Sequence, residues 1–356
     1  MASFQDLPIR DDLRDLTPYG APQLEVRIPV NVNENNYGIP DEVVASIATA
    51  VNKEIAGLNR YPDREFSLLR ERIATYIGQG VNPDQIWAAN GSNEVLQQLF
   101  MAFGGPGRRV VSFSPTYSMY PLIAKSVGSE YLAIPRAEDF SLPENFAALL
   151  TDAAPDITII CRPNNPTGTN HSLEEIVEIY SASKGMVIVD EAYQEFSELP
   201  SAVQLLPERN RLVVLRTMSK AFSYAGTRLG YLVADSIVSD ALRLVRLPYH
   251  LSALTQAAAI ASIDHADALL ASVEAIKNSR QELVNTLPSM GLSAYPSSTN
   301  FVLIDGFKDP KATFTALLEK GILVRNVGIG NTLRISVGTE AEIAEIIETL
   351  AKLQDN

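Results

Sequence analysis

Between residues 86 and 234 the chain alternates short, almost wholly apolar runs with longer stretches whose apolar residues recur every three or four positions. No other feature restricts the fold as much. The runs are Ile86-Trp-Ala-Ala89, Arg109-Val-Val-Ser-Phe113, residues 131–134, Ile157-Thr-Ile-Ile160, Met186-Val-Ile-Val189, Leu212-Val-Val-Leu215 and Gly230-Tyr-Leu-Val-Ala234. Apolar runs of this length, without polar alternation, are strands buried on both faces. The helical stretches between them, such as 146–150 and 174–183, cover those faces, so the expected class is α/β with a mostly parallel sheet under helices on both sides.

Outside this region the spacing predicts helices over 41–55, ending near Gly57, and over 68–77. A long helical region over 236–287 is broken at Leu247-Pro-Tyr-His250. The tail then mixes a strand at 301–304, a helix at 310–320, strands at 322–325 and 332–337 and a last helix at 340–353. The expected division is an N-terminal arm (1–36), a large domain (37–242) and a smaller α+β domain (243–356) with which the arm packs.

Ligands of such sheets sit beyond the carboxyl ends of the strands. That rule gathers Tyr117, Asn165, Asp190, Tyr193 and Lys220, which are far apart in the chain. Lys220 follows an apolar strand among small hydroxyl residues, where desolvation lowers a lysine's pKa and frees its amine as nucleophile or base. Gly91-Ser92-Asn93 opens a helix, either as an ordinary cap or as an anion seat built of free N–H groups and the helix dipole. Asn31 to Pro40 is crowded with amides, serving either as a turn or as a ligand-bonding edge.

With a net charge of −13, the chain repels polyanions, which argues against nucleic-acid and membrane-surface roles. There is no apolar stretch long enough to span a bilayer, and the first residues do not read as a secretory leader. A single cysteine, Cys161, forms no intrachain disulfide and fits a reducing compartment, so a cytoplasmic location is expected. His171, His250 and His265 lack metal-ligand spacing, and no metal is expected.

The pattern Thr217-x-Ser219-Lys220-Ala-Phe-Ser-x-x-Gly, followed by Arg228-x-Gly, resembles the lysine signature of fold-type I aminotransferases that use pyridoxal 5′-phosphate. Further motifs narrow the resemblance to the histidinol-phosphate aminotransferase family, over nearly the whole chain. They are Tyr19, Asn33-Glu-Asn35, Asn59-Arg-Tyr61-Pro-Asp63, Pro163-Asn-Asn165-Pro-Thr-Gly168, Asp190-Glu-Ala-Tyr193 and the segments around Arg325 and Arg334. One departure stands out, Asn36 where the family's motif has proline.

The resemblance implies that Lys220 carries the cofactor and moves the proton, while Asp190 pairs with the ring nitrogen. Asn165 and Tyr193 would bond the ring's phenolic oxygen, and Tyr117 would stack on the ring. The cofactor phosphate would meet Ser92, Asn93, Thr217, Ser219 and Arg228, together with Tyr61 from the other subunit of a homodimer. Tyr19, Asn33, Tyr249, Arg325 and Arg334 would bind substrate. The implied reaction is reversible amino transfer between L-histidinol phosphate and 2-oxoglutarate, giving imidazole acetol phosphate and glutamate, in histidine biosynthesis. An aminotransferase for aromatic amino acids, a threonine-phosphate decarboxylase and a non-catalytic cofactor sensor are the competing readings.

Overall fold

The computed structural model describes residues 6–14, 16–17 and 20–354. Tyr19, expected at the substrate pocket, lies outside the described residues.

The apolar runs form one seven-stranded sheet from β2 (Ile86–Ala89), β3 (Arg109–Ser114), β4 (Glu130–Pro135), β5 (Ile157–Cys161), β6 (Met186–Asp190), β7 (Leu212–Thr217) and β8 (Gly230–Ala234), in the order β2-β8-β7-β6-β5-β3-β4. Only β8 runs against the others, antiparallel to both β7 and β2. The segment from Met218 to Leu229 contains no crossover helix, so the chain can only turn back on itself. That reversal pairs Gly230 with both Thr217 and Ala89, which brings the start of β8 to the sheet edge where the other strands end.

Helices α1 (Asp41–Ile55) and α2 (Ser67–Ile77) precede the sheet, and α3 (Ser92–Phe103), α5 (Phe146–Ala153) and α6 (Leu173–Ala182) occupy predicted connections. The β3–β4 connection holds α4 (Met119–Ser126), a helix not expected from the sequence, which follows closely on the Ser114-Pro turn, and the β6–β7 connection holds only short 3-10 turns. The long helical region is divided into α7 (Ser236–Val245), α8 (Ala253–Asp264), α9 (Ala266–Leu270) and α10 (Ser272–Thr286).

A second, antiparallel sheet joins β9 (Ser293–Ala294), β10 (Phe301–Asp305) and β12 (Leu333–Ser336), with β10 central. The segment β1 (Ile28–Pro29) pairs in parallel with β11 (Ile322–Leu323), and Ser336 N donates to Val30 O. Arg27 pairs with Glu345 of α12 (Glu340–Gln354). These bonds carry residues 28–36 from the second sheet across the edge of the first. Helix α11 (Pro310–Glu319) completes the C-terminal part.

Behind the sheet edge, Glu191 is fully buried between Arg162 Nη1 at 2.9 Å and Arg216 Nε at 3.0 Å, and also accepts from Ser201 Oγ and Ala202 N. Glu191→Ala leaves two buried guanidinium groups short of their counter-charge. It is expected to lower stability by about 3–5 kcal/mol, read as a fall in the denaturant midpoint.

Candidate active site

A cavity of about 160 Å³ opens where β5, β6 and β7 end, and Asn33, Ser92, Asn93, Tyr117, Asn165, Asp190, Tyr193, Thr217, Ser219, Lys220, Arg228 and Arg334 all line it. The strand-end rule therefore collects residues scattered over 300 positions of sequence into one chamber.

At one end of the chamber, Gly91 is the N-cap of α3, so neither Ser92 nor Asn93 is. Its φ is +84°, and a Cβ there would stand 2.5 Å from Arg228 Nη2. Gly230 is required as well, since a Cβ on it would collide with the backbone of Ser92. The two glycines let the Arg228 guanidinium lie against the start of α3, where helix dipole and side-chain charge add. Arg228 itself has φ +59°, a left-handed conformation uncommon outside glycine, and its Nη1 donates to Ala225 O at 3.0 Å. Thr217 Oγ1 and Ser219 Oγ lie 3.1 Å apart beside it. The arrangement can seat a phosphate.

Opposite stands Asp190, 3% exposed, at the end of β6. Its Oδ2 accepts from the Tyr120 hydroxyl at 2.7 Å and its Oδ1 from Ala192 N at 3.1 Å. Burial pushes this carboxyl up to about 6 in spite of those bonds. Cys161, next to it, is 1% exposed, and burial pushes its thiol up to about 12, leaving it protonated and inert.

Lys220 Nζ reaches into the chamber and donates to Val32 O at 3.0 Å. Desolvation lowers its pKa to about 8, helped by the positive charges of Arg334 and Arg228 and opposed by Glu34. A substantial fraction of neutral amine is therefore present at mildly alkaline pH.

The third wall is a network. Asn33 Nδ2 and Asn165 Nδ2 donate to the Tyr193 hydroxyl at 3.0 and 3.3 Å, and Arg334 Nη1 donates to Asn165 Oδ1 at 2.6 Å. Arg334 Nη2 donates to Asn31 O, and the guanidinium lies 5.1 Å from the centre of the Phe301 ring. Tyr117 donates to Asn93 Oδ1 at 3.2 Å. Asn36, where proline was expected, is held by its own side chain, Nδ2 donating to both oxygens of Glu342 at 3.0 and 2.9 Å. A pair of hydrogen bonds thus secures this turn.

Three expected substrate or cofactor residues do not line this cavity. Arg325 sits on the strand edge beside Arg334, with Nη1 reaching Gly20 O at 3.5 Å. Tyr61 and Tyr249 stack on each other, centroids 4.4 Å apart, and are 79% and 39% exposed. Val32, Tyr120 and Ala192 serve the site but were not anticipated. Tyr120 had a sequence signal, one helical turn after Tyr117. The other two act through backbone atoms and leave no signal in residue type.

A chamber with a softened lysine, a buried acid and an anion seat at the start of a helix, on this α/β sheet, suits a phosphorylated aldehyde cofactor held through the lysine. The profile of the family "Aminotransferase class I and II" matches residues 27–350. The histidinol-phosphate aminotransferase of Paenarthrobacter aurescens strain TC1 is 53% identical over 355 residues, covering 98% of this chain and 95% of that protein. That of Thermobifida fusca strain YX is 48% identical, covering 98% and 96%. Among solved structures, histidinol-phosphate aminotransferase from Sinorhizobium meliloti in complex with pyridoxal-5′-phosphate superposes with a TM-score of 0.84 at 26% identity, covering 93% of this chain and 92% of that one. The chain belongs to the class I and II aminotransferases, and within them to the histidinol-phosphate aminotransferase family.

Proposed function

We propose that this chain, loaded with pyridoxal 5′-phosphate, transfers the amino group of L-histidinol phosphate to 2-oxoglutarate, giving imidazole acetol phosphate and glutamate in histidine biosynthesis. The donor is supported by the near full-length likeness to histidinol-phosphate aminotransferases, and the observation that carries the cofactor chemistry is the convergence of Lys220, Asp190 and the Arg228–α3 anion seat on one chamber. Those groups match an aldehyde, a ring nitrogen and a phosphate, so the residues present fit the cofactor.

When bound, the cofactor supplies a carbonyl that exchanges with an amine and a ring that accepts electrons. Asp190 would hold the ring nitrogen with a carboxylate that burial has stripped of water. Asn165 and Tyr193 would donate to the ring's oxygen, Tyr117 would pack on its face, and Ser92, Asn93, Thr217, Ser219 and Arg228 would hold the phosphate. Lys220 would hold the cofactor through its aldehyde and, as the amine whose neutral form desolvation favours, would take the proton from the substrate's amine-bearing carbon. Arg334 binds the substrate's phosphate and, in the other half-reaction, a carboxylate, with Asn165 and Asn31 fixing its fork. Asn33, in the chamber wall, is the further substrate residue of this reading, and Tyr19, Arg325 and Tyr249 are assigned to substrate on the resemblance alone.

In this reading residues 37–242 hold the cofactor, residues 243–356 form the smaller domain and residues 1–36 pack with it. The enzyme acts in the cytoplasm as a homodimer, Tyr61 reaching the cofactor phosphate of a second subunit. Support for the dimer comes from Tyr61, Leu244 and Leu247, which are 79%, 86% and 77% exposed.

Gly91→Ala is expected to weaken cofactor binding by about tenfold or more, because the methyl group displaces Arg228 and the new residue must keep a positive φ. Fluorescence titration of the apo-protein with pyridoxal 5′-phosphate measures it. The reading as a whole is tested by following glutamate formation from 2-oxoglutarate with L-histidinol phosphate and with phenylalanine. A higher kcat/KM for phenylalanine would replace it with the aromatic aminotransferase, and carbon dioxide release from threonine phosphate with the decarboxylase.

A further inference from the structure

The segment from Asn33 to Asn36 is anchored residue by residue, with one side chain left over. Asn33 N donates to Ser336 Oγ at 2.9 Å, and Asn300 Nδ2 donates to the carbonyls of Asn33 and Glu34 at 3.0 and 3.3 Å. Asn35 Nδ2 donates to Ser272 Oγ at 3.0 Å and to Ala221 O at 3.3 Å, while its Oδ1 accepts from Tyr37 N. Asn36 is tied to Glu342. Glu34, between these anchors, is exposed, and its carboxylate makes no hydrogen bond or ion pair among the described residues. A backbone this firmly held fixes the point from which that carboxylate reaches out and leaves the carboxylate free to take a ligand.

That place is the mouth of the site. Glu34 borders a cleft that also includes Lys220, Ser219 and Arg228, and its charge is felt at Lys220. The other charged side chains of the cleft and the chamber behind it, apart from Asp190 at the chamber's floor, are Lys220, Arg228 and Arg334, all cationic. Cations suit the phosphates and carboxylates that both half-reactions bring in. They do nothing for an imidazole ring, whose N–H needs an acceptor and which is partly cationic near neutral pH.

We propose that Glu34 determines donor specificity: its carboxylate accepts a hydrogen bond from the imidazole N–H of the amine donor and repels the side-chain carboxylate of glutamate. The proposal rests on the reading of the chain as a histidinol-phosphate transaminase. It makes the two half-reactions respond to Glu34 in different directions, which a merely structural role would not do.

The test uses the holoenzyme with Glu34→Ala and Glu34→Gln, measuring kcat/KM for L-histidinol phosphate and for glutamate, and the Kd of L-histidinol phosphate by calorimetry. Glu34→Ala is expected to lower kcat/KM for L-histidinol phosphate about ten- to hundredfold, with Kd rising in step. Glutamate should be used as well as before or better. Glu34→Gln, which keeps an acceptor without the charge, falls between the parent and the alanine variant. Unchanged use of L-histidinol phosphate, or equal losses for both donors, would overturn the proposal. If the unaltered chain does not bind L-histidinol phosphate, the parent reading fails too. That failure is distinguishable, because it is seen without any substitution.

Discussion

Lys220→Ala is expected to lower amino transfer by about 10⁴-fold or more while leaving the fold intact. Lys220 Nζ is the one side-chain amine lining the described cavity, and its depressed pKa makes it the group there able to act as nucleophile and then as base. Both tasks disappear together, so the loss exceeds that of an ordinary general base. The stability cost is small, because the removed contact is a single hydrogen bond to Val32 O, worth about 1 kcal/mol. Borohydride treatment with pyridoxal 5′-phosphate should fix added mass on the peptide containing Lys220 in the parent chain and not in the variant. Normal turnover by the variant would remove Lys220 from the mechanism.

Asp190→Asn should separate activity from stability. Leaving a buried cationic ring without its counter-charge costs about 3–5 kcal/mol, so turnover should fall by roughly a hundred- to several-thousandfold. The apo-protein should respond the other way at neutral pH. The folded-state pKa of Asp190, raised by burial from 3.8 to about 6, means that its contribution is fully present below the unfolded value and is lost as pH rises through about 6. Above that pH the apo fold carries an ionised, desolvated acid, a cost on the order of 2–3 kcal/mol before relaxation. Asparagine carries none. The Tm difference between the asparagine variant and the parent should therefore be small near pH 4 and grow toward pH 7 in favour of the variant. A flat difference would mean that Asp190 is not the strained acid described here.

Much of this site was legible beforehand because its parts are local. The strands bearing Asp190 and Thr217 announce themselves as valine- and leucine-rich runs, and the residues at their ends follow from the strand-end rule. The reversed β8 was less accessible, since a strand's direction depends on what the connection before it can span. Tyr120, which holds Asp190, lies on the short α4, where no helix was expected. Arg334 and Asn165 are 169 residues apart, and their contact has no local signature.

What sequence alone determined is the chemistry and its support: an α/β sheet, a lysine behind one strand, an acid at the end of another and a glycine opening a helix. Each of those properties is written within a few residues of its own position, in side-chain type and hydrophobic period. The tertiary structure decided the electrostatics. Burial softens Lys220 and strains Asp190, two glycines admit Arg228 to the helix terminus, and anchored amides leave Glu34 at the mouth. Each depends on which atoms exclude water from a group, and segments distant in sequence supply those atoms.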